Sequence, residues 1–284
     1  MGTFDNLKLG ERLGAGAWAE VYALGDDRCL KVARAEPLIQ KDSDAQGIAA
    51  GTGSLGTSLM QPHEVLVEQG KTLQALTAAG WIRCHDIGSY KDKHGDVAAA
   101  LILDRAKGRP LQKGDAPLVL LSVCDALAAA RKDGLVAHLD LKPSNVFVAD
   151  RAVTLLDPGY YDGAPDWRNI VTTVAYNPYI EVSDVSALGL LLRFLLTGDS
   201  PPSDLGEAVV SARVKRQIDD AAIFGKSGLA RIIGMDPHDK VLGRFAPVVW
   251  KALGLSRDKE GCLHLEPAYK DPEAFAQALK KVAA

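Results

Sequence analysis

Two short polar motifs, separated by an apolar stretch, constrain this chain more than any other feature. The octet from His138 to Asn145, HLDLKPSN, places a carboxylate, an ammonium and a carboxamide on one loop. Asp157-Pro158-Gly159 begins twelve residues after the octet ends. The runs 146–148 and 153–156 between the motifs predict a β-hairpin with a turn at 149–152. Because a hairpin brings its outer ends together, we expect Asn145 and Asp157 to lie side by side.

This pair of motifs resembles the catalytic loop and the metal-binding turn of the protein kinases, H-R-D-L-x-x-x-N and D-F-G. Phosphoryl transfer needs a group that orients the attacking hydroxyl and oxygen ligands that hold magnesium ions. The resemblance implies that Asp140 accepts the hydroxyl proton and that Lys142 neutralises charge on the transferred phosphoryl group. It also implies that Asn145 and Asp157 bind Mg²⁺ and that ATP is the phosphate donor.

A segment near the N-terminus has a second feature of that family. Residues 13–22, LGAGAWAEVY, resemble the glycine-rich loop G-x-G-x-x-G-x-V, with Ala19 in place of the third glycine. Glycine lets backbone N–H groups approach phosphate oxygens closely, because no Cβ stands in the way. Apolar residues on both sides of the loop predict a hairpin. By resemblance, the residues of this loop that contact the nucleotide are Gly14, Gly16, Trp18 and Val21.

The strand expected after this loop contains a single lysine. Cys29-Leu30-Lys31-Val32 is similar to the V-A-I-K strand of kinases, whose lysine contacts the α- and β-phosphates and pairs with a glutamate on the next helix. The apolar periodicity of 62–79 predicts that helix. Glu68 is the favoured partner of Lys31, and Glu64 and Gln69 are the alternatives. A glutamine at this position would weaken the ion pair of the active state.

The connection between that strand and helix is long. Residues 47–60 are low in charge and rich in glycine, which predicts a mobile segment. Segments of this length are either functional or disordered. The sequence leaves open whether this one is a substrate lid or an insert without a role.

The run from Ala98 to Asp104 predicts a buried strand, which is similar to the strand that enters the hinge of a kinase. The resemblance places Leu103 at the gate of the adenine pocket and lets the backbone of Asp104 and Ala106 bond the adenine edge. It implies an α+β, two-lobed kinase-like fold with a small antiparallel sheet and a mainly helical second lobe. Residues 1–103, with an insert at about 40–61, would form the first lobe, and 104–284 the hinge and the second.

Later segments continue in the family's order. A helix is predicted over 116–132, and the run 173–178, TVAYNP, is similar to the end of the activation segment. Thr173 would line the substrate groove and contact Asp140 and Lys142, which favours a serine or threonine acceptor. Asp184 begins an apolar stretch that predicts a core helix ending at Gly198. We expect Asp184 to cap this helix and to bond the backbone of the catalytic loop.

Three departures from the family pattern have consequences. Leu139 replaces an arginine that clamps a phosphorylated activation loop, so we predict activity without phosphorylation of that loop. Pro158 replaces the phenylalanine of D-F-G, and a fixed φ puts the usual switching of this turn in doubt. Pro178 is followed by Tyr179, with Glu181 displaced, so the salt bridge of the Pro-Glu ending is missing or rebuilt.

Composition limits the class of protein and its partners. A formal net charge of −3 gives no general attraction to nucleic acid or to anionic membranes. No apolar run reaches the roughly 18 residues of a membrane helix, and no signal peptide opens the chain. The scattered cysteines suit reduced thiols in a cytoplasm, and the many alanines suggest a bacterial source.

The 284 residues fit one two-lobed domain. The patterns at 205–223 and 272–282 predict further helices without chemical motifs.

The sequence therefore predicts an ATP- and Mg²⁺-dependent serine/threonine protein kinase that acts on a protein substrate. One alternative is a small-molecule phosphotransferase of the aminoglycoside or choline kinase type, which shares the fold. The other is a pseudokinase that binds nucleotide without transferring phosphate. The identity of the substrate, the regulator and the oligomeric state are left open.

Overall fold

The computed structural model describes residues 2–5, 7–36, 61–91, 94–150, 152–161, 170–172, 176–177, 182–201, 241–257, 263–265 and 268–284. The glycine-rich connection at 47–60 and the predicted helix at 205–223 lie outside these residues. The described strands are β1 (Gly2–Thr3), β2 (Arg12–Ala15), β3 (Ala19–Leu24), β4 (Arg28–Ala33), β5 (Cys84–Lys91), β6 (Val97–Asp104), β7 (Arg109–Pro110), β8 (Val146–Ala149), β9 (Ala152–Leu155), β10 (Tyr160–Tyr161), β11 (Ile170–Val171), β12 (Leu255–Arg257) and β13 (Leu263–Leu265). The described α-helices are α1 (Pro62–Ala75), α2 (Val119–Lys132), α3 (Val185–Thr197), α4 (Ala246–Ala252) and α5 (Pro272–Ala283).

The first lobe is a six-stranded sheet with one helix packed on it. The strand order is β1-β5-β6-β4-β3-β2, and neighbours are antiparallel except for the β1–β5 pair. Helix α1 lies against β5 and β6, where Gly70 makes the close approach possible. A Cβ at Gly70 would come within 2.5 Å of the Leu101 side chain and 2.9 Å of Ile87. This packing places α1 beside the β4 lysine.

The second lobe is mainly helical and has its own core. Helix α3 packs on α4, and α2 packs on α5. The apolar sequence of α3 is buried almost throughout, as expected from its composition. Its single charged residue, Arg193, is also buried and donates from its guanidinium to the Asp199 carbonyl at 2.9 Å. The Arg193 guanidinium is therefore hydrogen-bonded just beyond the C-terminal end of the helix.

The two lobes are joined by contacts that follow α1. Asp133, at the end of α2, accepts hydrogen bonds from the backbone N–H groups of Thr77 at 2.7 Å and Ala78 at 2.9 Å. Segment 80–82 then pairs with β9, since the Leu155 carbonyl accepts from Ile82 N–H at 3.0 Å. These contacts fix the segment between α1 and β5 against the second lobe.

The predicted α+β, two-lobed fold is confirmed. The hairpin predicted between the two polar motifs forms as β8 and β9, with Val146 opposite Leu155. Helix α1 ends at Ala75 rather than at residue 79, because the N–H groups of Thr77 and Ala78 donate to Asp133 instead of to helix carbonyls. The predicted division of the chain between residues 103 and 104 stays a prediction. No helix in the described ranges is both long and apolar enough to cross a bilayer.

Candidate active site

The backbone of the octet from His138 to Asn145 is bonded by Asp184. This buried carboxylate accepts hydrogen bonds from the backbone N–H groups of His138 at 2.8 Å and Leu139 at 2.9 Å. Leu139 has a φ of +68°, a strained conformation for a branched side chain that these bonds help to maintain. The expected bond from Asp184 to the loop is therefore confirmed. Asp184 is also the N-cap residue of α3, as expected, but its side chain makes no capping hydrogen bond because both of its oxygens bond the loop.

Two polar side chains of the octet contact the carboxylate of a third residue, Asp140. The side-chain amide of Asn145 donates to the Asp140 carboxylate at 3.0 Å and to the Asp140 carbonyl at 2.9 Å. The Lys142 ammonium lies 3.0 Å from the same carboxylate. Asn145 is buried within a 3₁₀ turn, 143–145, whose proline fits the first helical position. The loop thus orients Asp140 from two directions.

His138 is a structural part of the loop. It is fully buried, and its ring stacks on Trp81 with a centroid distance of 5.2 Å. Burial lowers the pKa of His138 below its ordinary value, although the negative charges of Asp184 and Asp140 act in the opposite direction. The neutral imidazole is therefore favoured. The backbone carbonyl of His138 accepts a hydrogen bond from Gly159 N–H at 2.7 Å. This bond connects the octet to the second motif.

The β8–β9 hairpin brings the two motifs together as predicted. The Asn145 carbonyl accepts from the Leu156 N–H at 2.9 Å, directly before Asp157. Asp157 itself has a φ of +51°. Burial acts to raise the pKa of Asp157, but the charge and hydrogen bond of Lys31, with help from Lys142, hold it below its ordinary value. The carboxylate is therefore ionised at neutral pH.

Lys31 reaches this carboxylate from the sheet. Its ammonium lies 2.8 Å from Asp157 Oδ1 and donates to Gln69 Oε1 at 3.0 Å. The expectation that Glu68 pairs with Lys31 is wrong. Glu68 faces outward on α1 and pairs with Lys71 at 2.6 Å. Gln69, one residue further along the helix, points inward instead.

The glycine-rich segment forms the β2–β3 hairpin. Gly16 N–H donates to the Ala19 carbonyl at 2.8 Å, and Arg34 donates from its side chain to the Gly16 carbonyl at 2.9 Å. A Cβ added at Gly14 would meet no atom within 4 Å, and one at Gly16 would only reach the Ala19 oxygen at 3.9 Å. The packing of the protein itself therefore does not require glycine at either position. Trp18 and Val21 are half-buried in the same hairpin.

The predicted hinge lies at the end of β6. Leu103 is buried in the core of the first lobe, and Ala106 is half-buried beside it. The Asp104 N–H donates to the Arg83 carbonyl at 3.0 Å, and the Asp104 carbonyl accepts from the Cys29 thiol. That carbonyl lies 3.5 Å from the Cys29 thiol, whose pKa is raised to about 11 by burial, followed by the charge of Asp157.

The activation segment is described only in part. Thr172 is buried and its hydroxyl donates to the Leu139 carbonyl. Tyr176 is also buried. The predicted groove residue Thr173 lies outside the described residues, as do Pro178, Tyr179 and Glu181, so the expectations that rest on them stay predictions.

Residues that the sequence did not single out also shape the site. Arg34 bonds the glycine-rich loop and lies 3.1 Å from Glu20, while Trp81 donates from its indole to the Ala126 carbonyl at 3.0 Å. Asp133 fixes the chain after α1. Gln69 was one of the alternatives for the partner of Lys31, and it lies one turn before the buried Leu73 on the inward side of α1. Arg34, Trp81 and Asp133 form their hydrogen bonds with residues distant in the sequence, so no local pattern indicates their roles.

The available donor atoms fit a magnesium ion bound together with phosphates. Asn145 and Asp157 offer amide and carboxylate oxygens, the hard ligands that Mg²⁺ prefers. Within the described ranges, no three His, Cys, Asp or Glu side chains form a metal-binding group. Mg²⁺ commonly takes only one or two protein ligands and completes its shell with phosphate oxygens and water. The pair therefore suits a metal that arrives with a nucleotide.

Sequence comparisons find that this chain is similar to protein kinases. The chain is 24% identical over 236 residues to the calcium/calmodulin-dependent protein kinase type II of Caenorhabditis elegans, a match that covers 74% of this chain and 30% of that protein. It is 34% identical over 121 residues to the serine/threonine-protein kinase Pkn1 of Myxococcus xanthus, covering 36% of this chain and 17% of Pkn1. The chain thus spans less than half the length of these curated relatives. No family profile matches it.

Solved kinase domains also align with the structure. The PknI kinase domain of Mycobacterium tuberculosis aligns with a TM-score of 0.49 and 18% identity, covering 96% of this chain and 94% of that one. A cysteine-to-alanine mutant of the same domain aligns with a TM-score of 0.49 and 17% identity over the whole of both chains. The sequence relatives confirm the predicted resemblance to the serine/threonine protein kinases.

Proposed function

We propose, from the similarity to serine/threonine protein kinases, that this chain transfers the γ-phosphate of ATP to a serine or threonine hydroxyl of a protein substrate, with Mg²⁺ as cofactor. The observation that supports this most is the convergence of two charged pairs. Lys31 and Asp157 meet at 2.8 Å across the lobes, and Lys142 and Asp140 meet at 3.0 Å within the octet. Opposite charges arranged in this way suit a nucleotide triphosphate, a metal and an attacking hydroxyl.

Each side chain then has one role. Lys31 binds the α- and β-phosphates, and the backbone of the segment around Gly14 and Gly16 covers them. Asp140 accepts the proton of the attacking hydroxyl, while Lys142 stabilises the negative charge of the phosphoryl group in transfer. Asn145 and Asp157 would hold Mg²⁺, which when bound neutralises phosphate charge. Because Asn145 also donates to the Asp140 carboxylate, metal ligand and base are oriented by one another.

The adenine would lie between the sheet and the hinge. The roles proposed here are a contact with buried Leu103, an adenine amino group donating to the Asp104 carbonyl, and an Ala106 N–H donating to the ring. The Asp104 carbonyl accepts from the Cys29 thiol at 3.5 Å, and a carbonyl oxygen has a second lone pair for the adenine amino group. Trp18 and Val21 would cover the nucleotide from the hairpin.

Activity without phosphorylation of the activation loop belongs to the same proposal. Leu139 offers no cation for a phosphate, and its carbonyl is bonded by the buried Thr172 hydroxyl. A phosphate carries about two negative charges, which would be costly to bury at Thr172 without a cationic partner. We therefore infer that the loop reaches its active arrangement unmodified, with Thr173 in the substrate groove.

A nucleotide-binding scaffold without transfer activity is the second candidate. The observation that favours it is the neutral Gln69 where the family has a glutamate to pair with the lysine.

The partners proposed here are a protein substrate and neither nucleic acid nor membrane, as the net charge suggests. A cytoplasmic location is proposed from the buried free thiols of Cys29, Cys84 and Cys124.

The proposal is tested by an acceptor panel with γ-labelled ATP. We expect label on serine or threonine of protein acceptors such as casein or myelin basic protein, dependent on Mg²⁺. Label on aminoglycosides or choline and none on protein would instead identify a small-molecule phosphotransferase. Nucleotide binding without any transfer would identify the scaffold.

A further inference from the structure

The side chain of Gln69 lies at the meeting point of three elements. It projects from α1 into the interior, where only 7% of the residue is exposed. Its carboxamide oxygen accepts from the Lys31 ammonium of β4 at 3.0 Å. Its amide nitrogen donates to the Pro158 carbonyl at 2.8 Å, in the turn that follows β9. One side chain thus connects the sheet, the helix and the turn that carries Asp157.

The chemistry of the two partners determines what this side chain must be. An ammonium only donates hydrogen bonds and a carbonyl only accepts them, so the residue between them needs one acceptor and one donor. This also settles the orientation of the Gln69 amide. Proline has no backbone N–H, so position 158 offers only its carbonyl to α1. A carboxylate would bond Lys31 but would face the Pro158 oxygen with a second acceptor.

We propose that Gln69 is a positioning residue that holds the Asp157 turn against α1, and that it replaces an ion pair between α1 and the lysine. This inference rests on the proposed function and deepens it. Lys31 keeps Asp157 as its ionic partner at 2.8 Å, while Gln69 holds the next residue of the turn. The departures at positions 69 and 158 therefore complement one another, and the helix and turn keep their positions without a helix carboxylate.

In the family pattern a glutamate at position 69 would favour the active state, but in this chain we expect it to impair the site. Installing the family's glutamate by Gln69→Glu keeps the bond to Lys31, loses the bond to Pro158 and places a second carboxylate at Lys31 beside that of Asp157. The turn is then released, and the metal ligand that it carries is displaced. Gln69→Met keeps the length of the side chain, adds no charge and loses both bonds. Gln74→Glu is the matched control, because Gln74 is exposed on the same helix.

Binding is measured by titration calorimetry of the full chain with ATP, with and without Mg²⁺. For Gln69→Glu we expect ATP affinity without metal within about 3-fold of wild type, and a gain in affinity on adding Mg²⁺ that is reduced about 10-fold. Gln69→Met should lose affinity in both conditions, and Gln74→Glu should match wild type. Thermal melting of each variant establishes that it is folded; an unfolded Gln69→Glu leaves Gln69→Met to carry the test.

Steady-state kinetics provide the second measurement. Gln69→Glu should lower kcat about 10-fold with the KM for ATP within about 3-fold, since Lys31 is retained but the turn is not. A Gln69→Glu variant that equals or exceeds wild type in kcat and in the Mg²⁺-dependent gain would overturn the inference, as would a wild type whose ATP affinity ignores Mg²⁺. If wild type binds MgATP but transfers no phosphate, the proposed function fails, while the calorimetry still tests Gln69.

Discussion

The ammonium of Lys31 lies 2.8 Å from Oδ1 of Asp157, and this contact joins the sheet lobe to the motif that follows the β8–β9 hairpin. Both residues were expected at a nucleotide site from their places in two separate motifs. The pair shows that the two residues, 126 positions apart in the sequence, bring their motifs into contact. Predictions about nucleotide binding follow from this contact.

Removal of the Lys31 charge should weaken nucleotide binding without unfolding the protein. We expect Lys31→Met to lower the affinity for MgATP by about 10- to 100-fold, because a charge-assisted hydrogen bond to phosphate contributes about 1.5–3 kcal/mol. Lys71→Met is the matched control, since Lys71 pairs with Glu68 on the outer face of α1. Calorimetric titration with MgATP checks both variants. Equal affinities for wild type and Lys31→Met would contradict the assignment.

The glycine at position 14 should matter to the ligand and not to the fold. A Cβ there meets nothing within 4 Å, so Gly14→Ala should change the free energy of unfolding by less than about 1 kcal/mol. Its nucleotide affinity should fall, because the methyl group keeps phosphate oxygens from the backbone. In Gly108→Ala a Cβ would come within 2.1 Å of the Val148 carbonyl at a φ of +86°, so that variant should lose about 1–3 kcal/mol of stability.

Urea unfolding and nucleotide titration of the two glycine variants separate these effects. The expected pattern is weak binding with normal stability for Gly14→Ala, and reduced stability for Gly108→Ala. A Gly14→Ala protein that binds ATP as tightly as wild type would show that no phosphate approaches this part of the loop.

The stabilising effect of the hydrogen bonds between Asp133 and the segment after α1 should depend on pH. The hydrogen bonds from Thr77, chiefly from its backbone N–H, hold the pKa of Asp133 below its ordinary value of 3.8. A lowered pKa in the folded state means that the carboxylate stabilises the fold above the unfolded pKa and that this contribution is lost as the pH falls through the folded pKa. Asp133→Ala should therefore melt at a lower temperature than wild type at pH 7, and the gap should narrow below pH 3.8.

Thermal melting between pH 7 and the acid limit of folding measures this gap. Asp125→Ala is the control, because Asp125 is an exposed carboxylate on the same helix. A gap that stays constant across the acid range would mean that the Asp133 charge has no part in the contact.

The activation segment should work without phosphate. Thr172 is buried against the Leu139 carbonyl, so Thr172→Ser should retain activity and Thr172→Glu should lose stability, since it places an unpaired charge in the interior. Phosphatase treatment of the purified protein should leave its transfer rate unchanged. Phosphate mapped to Thr172 in the active protein, together with loss of activity on phosphatase treatment, would refute the prediction.

Local patterns predicted most of the site, and long-range contacts account for the rest. The β8–β9 hairpin and the α3 helix follow from periodicity and turn residues, so the proximity of the two motifs and the bond from Asp184 to the loop could be predicted. The prediction of Glu68 as the partner of Lys31 rests on its charge, whereas helical phase determines which side chain points inward, since a shift of one residue turns a side chain by about 100° around a helix. Arg34 and Asp133 gave no local signal, since each acts on backbone groups far away in the sequence.

The central claim is that Asp140 is the base of a phosphoryl transfer from ATP to a protein hydroxyl. The most direct measurement is the initial rate of γ-phosphate transfer to a protein acceptor by wild type and by Asp140→Asn, which preserves the shape of the side chain. The account predicts that wild type transfers phosphate and that Asp140→Asn is slower by about 10²- to 10⁴-fold while still binding MgATP. A wild type and an Asp140→Asn variant that transfer phosphate at the same rate would contradict it.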